Sequence, residues 1–326
     1  MMPGETESMN HARVAGAARR FLVFTLVLSA CFALPLQALL RLAMHSELYS
    51  LIPVIPAISV YFVWIRRREV QSVSSGFNVA ALLMAMLGVA ALAVSFLLHP
   101  APKSAEAVDP LSARILAYCC FLVAGGCVCF GTAVMRLMAF PAAMLTFFVP
   151  FPGFVVNGLE SFFQHASADT AALLIRLTGT PMLRHGMIFE LPRMTISVAP
   201  ECSGIRSSLV LFITSLLAGQ IFLHRPLHRW VIALVVIPLG ILRNGIRILT
   251  IAILCVNVGP HMIDSAIHHH GGPVFFALSL APFFLLLLIL VRRERRQSGA
   301  TVAPSVSGPI NDEVKFCEPA ARQREK

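Results

Sequence analysis

The chain has 326 residues, of which 57% are hydrophobic and only 13% charged, against roughly 25% charged in a soluble globular domain. With a mean hydropathy of +0.78, a water-soluble enzyme and a disordered chain are both excluded. The net charge of +10 does not mark a nucleic-acid binder, because the basic residues cluster at the ends of apolar runs, where they orient spans in a bilayer.

Residues 1–20 are polar and end in Arg19-Arg20, after which 21–44 is nearly free of charge. This first apolar run is longer than the core of a cleaved signal and is closely followed by another, so it reads as an uncleaved anchor. Further spans are expected at 48–65, 77–99, 115–135, 139–156, 203–224, 230–258 and 272–291, most of them near the ~20 residues that cross a hydrocarbon core. The fold class is therefore an all-α polytopic membrane protein with about eight transmembrane helices. Arg66-Arg67-Arg68, Arg136, Arg225 with Arg229, and the arginines at 292–296 fall on alternate ends of these spans. The positive-inside rule then puts both termini in the cytoplasm.

The same threading sends 100–114, 157–201 and 259–271 to the outer face. Within the second of these, 162–177 reads as an amphipathic helix ending at Gly179, and 187–198 alternates as a short hairpin, together a small extracytoplasmic cap. The chain thus divides into a cytoplasmic segment 1–20, a membrane domain 21–291 and a cytoplasmic tail 292–326. The tail is rich in Ser, Pro and charge and is expected to be disordered. No internal repeat and no second soluble domain is visible.

Of the eight cysteines, Cys31, Cys119, Cys120, Cys127, Cys129 and Cys255 lie in apolar runs, as small buried hydrophobes do. Cys317 lies in the tail. Only Cys202 sits in a polar, Gly-containing segment at a helix start, Ala199-Pro200-Glu201-Cys202-Ser203-Gly204-Ile205-Arg206-Ser207-Ser208. Free amides at a helix start favour a thiolate over a thiol, and Arg206 adds positive charge. The plainer alternative is a helix cap made by Ser203 or Glu201, with Cys202 incidental.

A second feature is Leu242-Arg243-Asn244-Gly245-Ile246-Arg247-Ile248, deep in an apolar span. Charge at that depth costs several kcal/mol and normally faces a cavity or a partner. The spacing of four puts Arg243 and Arg247 on one helix face, lining one polar pocket or forming a buried ion pair, although acids in these spans are nearly absent. The third feature is His268-His269-His270-Gly271-Gly272-Pro273. With His261 and Asp264 it has the residue types of a metal site, but consecutive loop residues rarely converge on one ion, so no metal and no other cofactor is expected. The remaining readings are a solvated loop, or one imidazole acting as acid–base partner of a thiol.

Cysteine, histidine and arginine together supply what acyl transfer through a thioester requires: a nucleophile, a proton shuttle for the leaving amine and a cation for the oxyanion. The segment Glu201-Cys202-Ser203-Gly204-Ile205-Arg206-Ser207, the Asn244-x-x-Arg247-Ile248 pattern and a histidine four residues before a glycine resemble the signature of exosortases, over a core region of 147–276. That resemblance implies Cys202 as nucleophile, Arg247 as the matching arginine and His268 as the histidine, since Gly272 follows it by four and Phe276 by eight; His269 and His270 are rivals. Arg206, Arg243 and Asn244 are expected to bind substrate. The histidine favours the bacterial branch over archaeosortases, which carry a second arginine there. The resemblance further implies exported protein substrates ending in a Pro-Glu-Pro-like motif, an apolar span and a basic end, which are cut and passed to an envelope acceptor. A short polar tail follows Arg296 in place of the soluble domain fused to some exosortases.

Two rivals come from other classes. A transport or export component for envelope polysaccharide would use Arg243 and Arg247 to line an anionic path, but leaves Cys202 and the histidine loop unexplained. A metal-dependent membrane protease would use the histidines, yet the chain has no HExxH-type pair.

Overall fold

Apolar runs fold as helices in a bilayer because a backbone amide in hydrocarbon has no water to bond. The computed structural model describes residues 3–70, 73, 76, 78–97, 108–192, 194–198, 204–259 and 272–300, and it is helical with one small sheet. Six helices are long and apolar enough to cross a membrane, and a bent pair raises the number to seven. The protein is a helical polytopic membrane protein, and the approximate eight spans of the hydropathy reading become six or seven.

Prolines account for the difference. The first apolar run divides at Phe32 into α1 (Pro3–Cys31) and α2 (Ala33–His45), because Pro35 has no amide to give to the carbonyl of Cys31. Helix α1 also takes in most of the expected polar N-terminal segment. Of the expected span 48–65, turns occupy the start and only α3 (Val54–Arg66), 13 residues capped by Pro53, is helical. At 1.5 Å per residue α3 is about 20 Å long, short of a hydrocarbon core of about 30 Å.

Helices α4 (Val79–Leu97) and α5 (Val108–Leu137) pack together, with α1 against α5. Helix α5 is broken at Gly131, whose φ of 83° and ψ of 167° are outside helical space. The carbonyls of Cys127 and Val128 there accept from outside the helix. Asn78 Nδ2 donates to Cys127 O at 3.0 Å and Gly76 N to Val128 O at 3.0 Å. Asn78 also caps α4, its Oδ1 accepting from Ala81 N at 2.9 Å.

The expected span 139–156 is also broken. Helix α6 (Ala139–Met144) runs into a 3₁₀ turn (Leu145–Phe148), and α7 (Gly153–Leu177) leaves at 90°. Pro150 and Pro152 lack amides and force extended backbone before them. The corner is pinned from two sides: Tyr49 Oη donates to Phe151 O at 3.1 Å, and Gly153 N donates to Asp109 Oδ1 at 2.6 Å.

Beyond α7, which starts at Gly153 rather than 162, strands β1 (Leu183–His185), β2 (Ile188–Leu191) and β3 (Met194–Ser197) form an antiparallel sheet in the order β1-β2-β3. The expected hairpin is β2–β3, with Phe189 opposite Ile196 and Leu191 opposite Met194. Phe189, Leu191 and Ile196 alternate inward and pack with Val198 on Ala168, Ala171, Ala172 and Ile175 of α7 and on Ile248 and Ala252 further along the chain. Burying each large side chain contributes about 2 kcal/mol, so the cap is fastened to the bundle. Arg184 and Asp169 add an ion pair at 2.7 Å between β1 and α7.

The remaining helices are α8 (Ile205–Phe222), α9 (Pro226–Asn257) and α10 (Gly272–Ala300), which extends past the expected end at 291. Helix α9 is central and touches α7, α8 and α10. Two glycines permit the approach: a Cβ on Gly240 would lie 2.6 Å from Ser208 Oγ on α8, and one on Gly245 would lie 2.7 Å from Thr170 Cγ2 on α7. The turn between α8 and α9 is locked by buried Glu294 of α10. Its carboxylate accepts from His224 N at 2.8 Å and Arg225 N at 3.0 Å, and pairs with His228 Nδ1 at 2.7 Å. Arg229 completes the lock through Nε to Leu223 O at 2.8 Å and Nη1 to Gln220 Oε1 at 2.9 Å.

Candidate active site

A fixed turn fixes the register of the two helices that leave it. Counting from His224, Gly204 lies 20 residues back and Arg243 lies 19 residues on, so these residues meet across the α8–α9 contact. Arg243 is 6% exposed, and its Nη2 donates to Gly204 O and to Ser208 Oγ, both at 3.3 Å. Asn244, 2% exposed, abuts Gly204 as well. Gly204 is the N-cap of α8 with φ of 71°, a left-handed conformation natural only to glycine. A Cβ there would lie 3.2 Å from Arg243 Nη2 and 3.4 Å from Asn244 Cγ.

Arg243 therefore spends two of its five donors on neutral oxygens, and its Nη1 has no hydrogen-bond partner among the described residues. No carboxylate among the described residues pairs with it. A desolvated guanidinium held this way is costly as architecture and is suited to an anionic or developing negative group. Arg247 is half-buried one turn further along α9.

Cys202, His268, His269 and His270 lie outside the described residues, as do Glu201, Ser203, His261 and Asp264. What the structure describes is how the flanks of the Cys202 segment are anchored. On the entry side Val198 N donates to Met187 O at 3.0 Å, and Gln164 Nε2 of α7 donates to Val198 O at 2.5 Å. On the exit side Gly204 is held by Arg243. Helix α8 starts at Ile205, three residues after Cys202 in sequence. Among the described residues no group of three or more His, Cys, Asp or Glu could hold a metal.

Arg206 has a different partner: its Nη1 lies 2.7 Å from Glu47 Oε2, in an exposed ion pair that ties α8 to the loop after α2. Ser208, Gln164 and Glu47 are site-proximal residues that sequence reasoning did not single out. Ser208 stood in the quoted motif, and Gln164 was legible only as a lone amide on an amphipathic helix. Nothing in the sequence around Glu47 marks it.

Beside Ser208 an apolar groove of about 320 Å³ opens between the Phe151 corner, α7 and α8. The sequence matches the family described as transmembrane exosortase over residues 42–285, from the end of α2 to α10. Neither a curated protein nor a solved structure matches the chain.

Proposed function

Because the chain belongs to the transmembrane exosortase family, and so to membrane transpeptidases in general, we propose that it is a cysteine transpeptidase of the bacterial inner membrane with its site at the outer face. The substrates would be exported proteins carrying a C-terminal Pro-Glu-Pro-like motif, an apolar span and a basic end. The observation that carries this reading is the α8–α9 register, in which a buried cation from the Asn244-x-x-Arg247 helix bonds the backbone two residues after Cys202.

In the proposed reaction the Cys202 thiolate attacks the scissile carbonyl, the C–S bond forms, and the tetrahedral oxyanion is stabilised by Arg247. Collapse breaks the C–N bond, and His268, or His269 or His270 in its place, gives the leaving amine its proton. An acceptor amine or hydroxyl then attacks the thioester, gives its proton back to that imidazole, and breaks the C–S bond, which frees the thiolate and releases the transferred protein. Arg243 and Asn244 order the start of α8 and bind the substrate, Arg243 at the acidic part of its motif. Arg206 serves an acidic substrate group by exchanging Glu47 for it.

Cells co-expressing a tagged substrate with the Cys202→Ala protein are expected to accumulate only uncut substrate. Processing at the wild-type rate would sink the mechanism. Loss of processing on thiol alkylation but not on chelation separates this reading from a metal protease.

A further inference from the structure

Strand β3 is bonded along one side only. Val198 N donates to Met187 O at 3.0 Å, in step with the register that sets Ile196 opposite Phe189. Every second residue, Ile196 and Val198 among them, therefore turns its N–H and C=O to β2. Thr195 and Ser197 turn theirs the other way. Both are exposed, and among the described residues no strand and no other backbone group bonds that edge. Cys202 follows Val198 by four residues. We propose that this edge takes the extended motif of the substrate as a fourth, parallel strand and so brings the scissile peptide to Cys202. The identity of the substrate rests on the transpeptidase reading above.

The edge offers two amides and two carbonyls at a two-residue period, which match the backbone of an extended peptide. A helix bonds its own backbone and a lipid tail has none, so neither fits. Direction narrows the pairing further. Strand β3 leads through the Cys202 segment into the span α8, and the substrate motif leads into its own apolar span. Laid side by side toward the bilayer, the two chains are parallel. In a parallel pair one residue bridges two: its N–H donates to Thr195 O, and its carbonyl accepts from Ser197 N. Proline spacing fits as well. When the glutamate of Pro-Glu-Pro makes those two bonds, both prolines point their missing N–H groups away from β3, and the ladder loses nothing. The glutamate side chain then shares the face of Ile196, which packs toward α7 and α9, and α9 carries Arg243.

The test uses the full-length Cys202→Ala protein in vesicles with a synthetic peptide comprising the motif, an apolar span and a basic end. Energy transfer between dyes on the two reads binding. Replacing the glutamate N–H by an ester oxygen should weaken binding about fivefold to tenfold. The same exchange two residues before the first proline, where the N–H points away from β3, should change nothing. Ser197→Pro removes the partner donor and should weaken the unmodified peptide by a similar factor. No bond within the fold uses that N–H, so the unfolding midpoint should hold. If the variant misfolds, the two ester peptides on the unsubstituted edge still decide. Equal binding by all three peptides, or equal loss from both esters, overturns the proposal. So does a Ser197→Pro protein that binds the peptide normally, even if the substitution separates a dimer. No binding of the unmodified peptide overturns the substrate class and this proposal together, whereas binding indifferent to the glutamate ester sinks the edge alone. With Cys202 absent, failure of the thioester chemistry leaves the measurement untouched.

Discussion

Gly204 joins backbone geometry to chemistry at a single position. Alanine there would carry about 1 kcal/mol of left-handed strain and would also press a methyl onto Arg243 and Asn244. Gly179 supplies the control, with φ of 74° and open space where its Cβ would stand. Gly179→Ala should therefore lose about 1 kcal/mol of stability in thermal unfolding of the detergent-solubilised protein, and Gly204→Ala more. Only Gly204→Ala should lose substrate processing, by about tenfold or more if Arg243 is displaced. Equal processing by the two variants would remove Arg243 from the site. That Arg243 is unusual was legible from a charge in an apolar run. Its bonds to Gly204 and Ser208 were not, because they depend on a register set by Glu294, some fifty residues away in sequence. The pairing of Cys202 with Arg247 or a histidine rests on residues outside those described.

At the scale of elements, hydropathy located the spans and local bonding decided which of them are single helices. Helices α4, α8, α9 and α10 start within a few residues of where the apolar runs put them. The breaks were hidden because proline has two outcomes. Pro238 and Pro282 sit inside α9 and α10 without ending them, whereas Pro35, Pro150 and Pro152 mark breaks, and at the 150–152 corner Tyr49 and Asp109 bond the neighbouring backbone groups. Asn78 performs that task for the kink in α5, and it does so with both ends of one amide. Asn78→Asp keeps the cap on α4 but sets a carboxylate against Cys127 O, while Asn78→Ala loses both bonds. Asn78→Ala is expected to cost about 1 kcal/mol for the cap and about 1–3 kcal/mol for the orphaned carbonyl, read as a lowered unfolding midpoint in micelles. If Asn78→Asp behaves as wild type, the Cys127 bond contributes nothing and only the cap matters.

For the whole molecule, the decisive question is which face of the membrane carries the cap. The sheet and Gly204 lie at one end of α8, and the Glu294-locked turn lies at the other, separated by 18 residues of helix, about 27 Å. A thiol at His185 in the cap and one at His224 in the turn, where the side chain is 92% exposed, therefore report opposite faces. On the proposed orientation, with the arginine clusters at 225–229 and 292–296 on the inside, that turn faces the cytoplasm. In a background with the native cysteines replaced, His185→Cys should react with a membrane-impermeant maleimide in intact cells, and His224→Cys only after the membrane is opened. The reverse pattern would put Gly204, Arg243 and the segment carrying Cys202 on the cytoplasmic side. Exported proteins would then never meet the site, and the transpeptidase reading would fail on topology alone, before any residue of the mechanism was tested.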